Sequence, residues 1–529
     1  MEGSPFAAVD RGTQPHASRR LHWIAQLERH ATVIPARPAI RFQGATITWS
    51  QLRARVHALG AALARRGVGF GDRVIIMTGN RPEFLEAMLA ANLLGAIAVP
   101  VNFRLTGPEV AYILADCEPA VIVADAFGKD AVEAALALAG QGPCVIIAAT
   151  GAGGHDAYDE VLAEPGEPAP LTDVPEDTPA LIMYTSGTTG QPKGAVLTHL
   201  NVQSQAATFA RFSGYADEEE VTLVAAPLFH IAGIGTTAPM VLTGGTVAIM
   251  PTTAFDPGHL LELLEGEAVT SVFLVPAMWQ AVCAHPSLAD RDLSRLRSTT
   301  WGAAPASDTL LRRMSQAFPQ AANTAAFGQT EMSPVTCLLH GRDAIRKLGS
   351  VGRPIASVAA RVVDADMKDV PRGEVGEIVY RGPGLMLGYW NKPQATAEAF
   401  RGGWFHSGDL VRVDDEGYIY VVDRVKDMII SGGENIYCAE VENVLAAHPG
   451  IAEVSIVGRP DPVWGETPVA YVVLGDPADS LDIEALRTWA SASLARYKLP
   501  TVLKTVPALP RNAAGKVLKH TLRKDATDA

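Results

Sequence analysis

Tyr184-Thr185-Ser186-Gly187-Thr188-Thr189-Gly190-Gln191-Pro192-Lys193-Gly194 decides how the rest of this chain is read. The apolar run that ends at Tyr184 reads as a strand. It runs directly into small hydroxyl and glycine residues, followed by a lysine. Glycines let successive backbone N–H groups turn into one concavity, and Ser and Thr hydroxyls add donors to it. Lys193 adds a cation suited to phosphate oxygens. This predicts a phosphate-gripping loop delivered by a strand. It is not the common lysine loop Gly-x-x-x-x-Gly-Lys-Ser/Thr, because Pro192 stands where the second glycine should be. A nucleophile-elbow serine is excluded too, since Tyr184 occupies the place of its first glycine. Gly151-Ala152-Gly153-Gly154 fails as a dinucleotide fingerprint, with Asp156 where the later glycine belongs.

Outward from this loop, the chain reads as alternating α and β. Val74-Ile75-Ile76-Met77, Ala96-Ile97-Ala98-Val99, Val121-Ile122-Val123 and Val145-Ile146-Ile147 are short, continuous and β-branched, as strands covered on both faces are. Helical periodicity separates them, for example over Pro82–Leu94, and an earlier helix is predicted from about Leu21 to His30. Further strands are predicted at Val221–Ala225, Val269–Val275 and Arg297–Trp301. After Asp427 the pattern becomes a small α+β unit, with a helix from about Ala439, strands at Ala452–Val457 and Pro468–Val473, and a helix from about Asp482. The expected organisation is α/β. Residues 1–18 form a disordered lead, and 19–422 form a large N-terminal domain of layered α/β sheets. Residues 423–427 form the boundary, which a family resemblance makes a hinge, and 428–529 form a small α+β domain that the same resemblance makes mobile.

Composition agrees with a globular, well-buried protein of several units. The chain has 529 residues, 48% hydrophobic and 19% charged. A net charge of −13 argues against nucleic acid as the main partner. Lys516, Lys519, Arg523 and Lys524 read as a solvated basic face. Five scattered cysteines (Cys117, Cys144, Cys283, Cys337 and Cys438) lack metal spacing and read as reduced thiols of a cytoplasmic protein. Two stretches uncharged between their charged borders, Ala87–Arg104 and Glu220–Asp256, contain proline and glycine. They read as buried strands with loops, not as membrane spans. Peripheral contact with a membrane and a homodimer are both compatible with this reading.

The phosphate loop resembles the signature loop of the acyl-adenylate-forming (ANL) superfamily: acyl- and aryl-CoA ligases, luciferases and peptide-synthetase adenylation domains. Further segments resemble the same family in the same order, from about residue 21 to 525. The resemblance implies nucleotide contacts from Thr185, Ser186, Gly187, Thr188, Thr189, Gly190 and Lys193. In Ala226-Pro227-Leu228-Phe229-His230, it places Phe229 and His230 at the substrate carboxylate. Gly302-Ala303-Ala304-Pro305 would border adenine and the acyl tunnel, with Gly302 and Gly328 leaving room for the acid. In Phe327-Gly328-Gln329-Thr330-Glu331, Phe327 would stack on adenine, Thr330 would donate to a phosphate oxygen, and Glu331 would hold magnesium. The family more often has tyrosine at 327.

Asp409 and Arg424 match the ribose contacts, and Lys426 matches the hinge about which the small domain turns between two half-reactions. Gly432 and Gly433 match the loop that forms the thiol tunnel. Trp464, Tyr497 and Lys498 match positions that touch the CoA nucleotide in some relatives. Lys516, in Arg511-Asn512-Ala513-Ala514-Gly515-Lys516, matches the lysine that bridges carboxylate and α-phosphate. Cys438 departs from the family's usual proline, and a thiol so near the tunnel is expected to be open to alkylation.

The implied activity is a two-step ligase using ATP, Mg and CoA. The sequence most resembles bacterial medium- to long-chain fatty acyl-CoA ligases, with aryl-CoA ligases close behind. A non-catalytic acyl-nucleotide-binding protein on the same fold is the alternative from another class.

Overall fold

Each β-branched run lies where its periodicity puts it, and parallel pairing joins them. The computed structural model describes residues 20–139, 145–148, 156–185, 191–215, 219–304, 306–432, 434–476, 480–511 and 517–528. The lead expected over 1–18 lies outside them. Strands Arg73–Met77, Ile97–Pro100, Val121–Ala124 and Val145–Ala148 pair in parallel, and they are connected by helices such as Pro82–Leu93 and Gly107–Cys117. Ile75, Ile76, Val99 and Ile122 are fully buried, which is what a sheet covered on both faces requires.

This sheet has eight strands, and it carries Pro179–Thr185 and the antiparallel Lys193–Thr198 on the flank that ends at Gly388–Tyr389. A second, nine-stranded sheet runs through Ala322–Gly328, Ser298–Gly302, Ser271–Leu274, Val221–Val224 and Thr246–Ile249. The C-terminal ends of its strands carry the segments around His230, Gly302 and Phe327. Ligands of open α/β sheets bind at such strand ends.

The chain divides into two compact units. One comprises Met1–Ala359 and Arg381–Glu398, and the other Ala360–Tyr380 and Ala399–Ala529. The second unit holds a four-stranded sheet containing the antiparallel pair Phe405–Val413 and Ile419–Arg424. It also holds a five-stranded sheet built on the long hairpin Ile451–Asp461 and Gly465–Leu474. Asp423–Asp427 lies inside this unit and joins its two sheets. Helix Cys438–Leu445 packs Val441 and Leu445 into a core with Ile456, Val472 and Leu486.

The basic C-terminal stretch departs from expectation. It forms helix Lys519–Asp528, whose Leu522 and Ala526 are buried against Val457 and Tyr471. Lys519 and Arg523 are drawn into ion pairs with Glu442 and Asp427 and are not a solvated face. The apolar side of the helix must be covered, and covering it brings its flanking cations against acids of the lobe. Among the described residues, no helix is long and apolar enough to cross a membrane.

Candidate active site

In the first unit, the antiparallel register sets Thr185 directly across from Lys193. Ser186, Gly187, Thr188, Thr189 and Gly190 lie outside the described residues. The Lys193 ammonium sits over the ring of Tyr389, 5.2 Å from its centroid. The Tyr389 hydroxyl donates to Glu331 Oε1 at 2.9 Å. Glu331 is buried, and its backbone carbonyl accepts from Met386 N–H at 2.9 Å. Lysine, tyrosine and carboxylate thus form one row beside the loop.

Two supports fix this row. Asp116 accepts from the Tyr184 hydroxyl at 2.7 Å, pairs with Lys392, and takes the Trp390 indole N–H on its carbonyl at 3.1 Å. Burial, followed by the nearby acidic groups, pushes the Tyr184 hydroxyl far above its ordinary pKa, so it stays a donor. Gln205, on helix His199–Ser213, donates its amide to the carbonyls of Met332 at 2.7 Å and Val335 at 2.6 Å, bracing the turn after Glu331.

Gly302 and Gly328 are glycines for a local reason. A Cβ at Gly302 would lie 2.2 Å from the Ala326 carbonyl oxygen, and one at Gly328 would lie 1.9 Å from that of Pro334. Their small size is demanded by neighbouring backbone, whatever else it leaves room for. Ala303 adopts φ 65°, a left-handed conformation costing a non-glycine residue about 1 kcal/mol. Ala304 is exposed beside it, and Thr330 follows Phe327 and Gln329 at the end of strand Ala322–Gly328. Phe327 is partly buried, across from Cys337.

His230 caps helix Ile231–Thr243, with Nδ1 accepting from Ala232 N–H at 3.2 Å, which leaves Nε2 as the N–H of a neutral ring. Asn80, from the other sheet, holds this turn. It accepts from Leu228 N–H at 2.8 Å and donates to the Ala226 carbonyl at 3.0 Å. Phe229 meets the Phe103 ring edge to face at 5.4 Å, and Phe103 meets Phe127 at 5.3 Å. Three aromatic rings therefore run from the buried Phe229 to the exposed Phe127.

In the second unit, Asp409 and Arg424 face each other across strands Phe405–Val413 and Ile419–Arg424, paired at 2.8 Å. Asp409 is buried, and Arg424 Nε is buried with no partner among the described residues. A buried donor in want of an acceptor suits a hydroxyl-bearing ligand. Glu377 shapes the turn before Asp409, accepting Gly408 N–H at 2.9 Å and His406 Nδ1–H at 2.8 Å.

Lys426 is exposed. Gly432 lies against Trp464: its N–H donates to the Trp464 carbonyl at 2.7 Å, and a Cβ would lie 2.7 Å from the indole. Trp464 and Tyr497 expose 57% and 42% of their surface, as a stacking face for a ligand must. Lys498 is drawn instead to Glu440 at 2.6 Å. Gly433 and Lys516 lie outside the described residues. The thiol of Cys438 is buried, donates to the Asp427 carbonyl at 2.9 Å, and is pushed well up in pKa by that burial. That corrects the expectation of ready alkylation, because neither exposure nor thiolate character is present.

Among the described residues, no cluster of three or more His, Cys, Asp or Glu could cage a metal. One carboxylate with phosphate oxygens suffices for magnesium, so Glu331 fits that ion. Tyr389, Asp116, Gln205 and Asn80 had escaped sequence reasoning. The cue for the first was Gly388-Tyr389-Trp390-Asn391-Lys392-Pro393, an aromatic turn closing the apolar stretch after Gly382.

The family model "AMP-binding enzyme" matches residues 27–390, and "AMP-binding enzyme C-terminal domain" matches 440–516. The chain is 43% identical over 502 residues to a feruloyl-CoA synthase of Amycolatopsis sp, covering 94% of this chain and 97% of the relative. It is 36% identical over 511 residues to the long-chain-fatty-acid–CoA ligase FadD13 of Mycobacterium tuberculosis, covering 96% and 98%. Among solved structures it is similar to o-succinylbenzoate CoA synthetase from Bacillus subtilis in complex with its acyl-adenylate intermediate, with TM-score 0.84, 33% identity, and coverage of 94% and 97%.

Proposed function

Since the chain belongs to the AMP-binding enzyme family, we propose that it joins a planar aromatic carboxylic acid to CoA. The coarser activity is that of an acyl- or aryl-CoA ligase using ATP, magnesium and CoA. The row Lys193–Tyr389–Glu331 carries the reading, because it sets a cation and a carboxylate beside a loop suited to phosphates.

A carboxylate oxygen of the acid attacks the α-phosphorus of ATP. The bond to the bridging oxygen breaks, and pyrophosphate leaves with the acyl adenylate formed. Positioning and charge neutralisation dominate such transfers. Lys193 and Lys516 face the growing negative charge, Thr330 donates to a phosphate oxygen, and Asp409 and Arg424 hold the ribose. Glu331 would hold magnesium together with phosphate oxygens, and the ion would supply further charge neutralisation. Movement about Lys426 then exchanges Lys516 for the glycine loop at Gly432 and Gly433. The CoA sulfur attacks the adenylate carbonyl, the bond to the AMP oxygen breaks, and the thiol proton is lost as AMP leaves.

The aromatic acid is favoured over the medium- or long-chain fatty acid by two observations. The feruloyl-CoA synthase shares more identity with this chain than does the long-chain ligase. The ring series Phe229–Phe103–Phe127 adjoins His230, and His230 at the N-terminus of its helix suits a carboxylate. The fatty acid remains the second reading, supported by the 36% likeness to the long-chain ligase. The test is Lys516→Ala, which should abolish pyrophosphate release from acid and ATP yet spare thioester formation from supplied acyl adenylate. Equal loss of both would refute the role of Lys516.

A further inference from the structure

The Asp423–Asp427 segment is gripped at its two ends by different parts of its unit. Upstream, Val425 N–H donates to the Gly408 carbonyl at 2.9 Å, and Arg424 is paired to Asp409. Downstream, the Arg523 guanidinium donates to the Lys426 carbonyl at 3.1 Å and to the Asp427 carboxylate at 2.5 Å. The Cys438 thiol donates to the Asp427 carbonyl at 2.9 Å. What lies between the two sets of anchors is the backbone of Val425 and Lys426, and both residues are exposed.

The downstream anchor is itself fixed. Arg523 stands on helix Lys519–Asp528, whose Leu522 and Ala526 are buried. Tyr471 donates its hydroxyl to Asp525 at 2.6 Å, and Lys504 pairs with Asp525 at 2.7 Å. Lys519 reaches Glu442 at 2.8 Å, and the Glu442 Oε1 atom also accepts Ile456 N–H at 2.7 Å. Burial opposes the charge of Lys519, but the Glu442 carboxylate and its neighbours more than restore it, so the ammonium persists. Three bonds bridge the two sides: Cys438 N–H to Asp423 Oδ2, and the N–H groups of Asp427 and Met428 to the Arg424 carbonyl at 2.9 and 3.1 Å. Any turn at Val425 and Lys426 must strain or break these.

We propose that Arg523 is a positioning residue for the two-step reaction: it clamps the Lys426–Asp427 peptide to the C-terminal helix, so that turning is confined to the torsions of Val425 and Lys426. The proposal rests on the ligase reading for its consequence and on geometry alone for the clamp. A free peptide at this place would let the lobe adopt many orientations. A clamped one restricts it to a few, which is how a short hinge delivers defined end states.

The experiment uses the full-length enzyme with Arg523→Ala and Arg523→Lys, and reads amide hydrogen exchange and both half-reactions. Loss of two charge-assisted hydrogen bonds should raise exchange over residues 425–428 about tenfold. Exchange over the sheet strand Val469–Leu474 should stay as in the parent. The ratio of adenylate formation to thioester formation should shift at least about fivefold with the KM for the acid unchanged, and Arg523→Lys should recover at least half of both effects. Unchanged exchange over 425–428, an equal rise across the whole C-terminal sheet, or an unaltered ratio would each overturn the clamp. If Arg523→Ala fails to fold, Arg523→Gln takes its place with the same expectations. Should the parent form no adenylate with any acid, the ligase reading fails while exchange still decides the clamp.

Discussion

Tyr389 gives its hydroxyl hydrogen to Glu331 at 2.9 Å while its ring carries the ammonium of Lys193. One aromatic residue thus touches both the cation and the acid that are proposed for the first half-reaction. Tyr389→Phe keeps the ring and removes the hydrogen bond. Loss of a bond to a charged group predicts a fall of about tenfold in kcat/KM for pyrophosphate release. Tyr389→Leu, which loses the ring as well, should fall further. A Tyr389→Phe enzyme as fast as the parent would remove Tyr389 from the machinery.

Arg424 has a buried Nε with no partner among the described residues, and its Nη1 is tied to Asp409. Arg424→Gln retains an amide donor but loses the charge and the fork. If Arg424 holds the ribose as proposed, the KM for ATP should rise about tenfold with a smaller change in kcat, since such contacts are made alike in ground and transition states. A drop in kcat with unchanged KM would contradict the ribose assignment.

His199 predicts a pH dependence of stability. It is buried beside His22 with ring centroids 5.1 Å apart, and neither ring nitrogen has a partner among the described residues. Burial, then the neighbouring imidazole, pushes its pKa down to about 3. The unfolded chain therefore takes up a proton below about pH 6.5 that the folded chain refuses until near pH 3. Stability is full above 6.5 and falls by about 1.4 kcal/mol per pH unit as pH drops through this window. His199→Phe should flatten the unfolding free energy against pH by one proton between pH 6.5 and 5, measured by urea denaturation. An unaltered slope would show that His199 titrates alike in both states.

Much of the fold was legible because its strands are covered on both faces. Val74–Met77 and Val121–Ala124 could only be continuous apolar runs, and they pair side by side as parallel strands. The row beside the phosphate loop was half legible. Lys193 and Glu331 belong to compact motifs, but Tyr389 comes from a distant turn whose only local mark is an aromatic pair after glycine. Asn80, Gln205 and Asp116 were hidden for another reason. Each acts by hydrogen bonds to backbone or to a side chain far away in sequence, and no spacing rule records such partners. Gly302 and Gly328 carry a second demand that the motif does not record, since neighbouring backbone leaves no room for a Cβ at either. The basic C-terminus was misread because charge count says nothing of the acids that folding brings against Lys519 and Arg523.

The central claim is tested most directly by following CoA-thiol consumption with ATP and magnesium across two acids, a hydroxycinnamate and a C12 fatty acid. The account predicts consumption with both components present and none without ATP, with kcat/KM for the aromatic acid at least about tenfold the higher. Preference for the fatty acid would contradict the aromatic reading, and absence of ATP-dependent thioester with either acid would contradict the ligase itself.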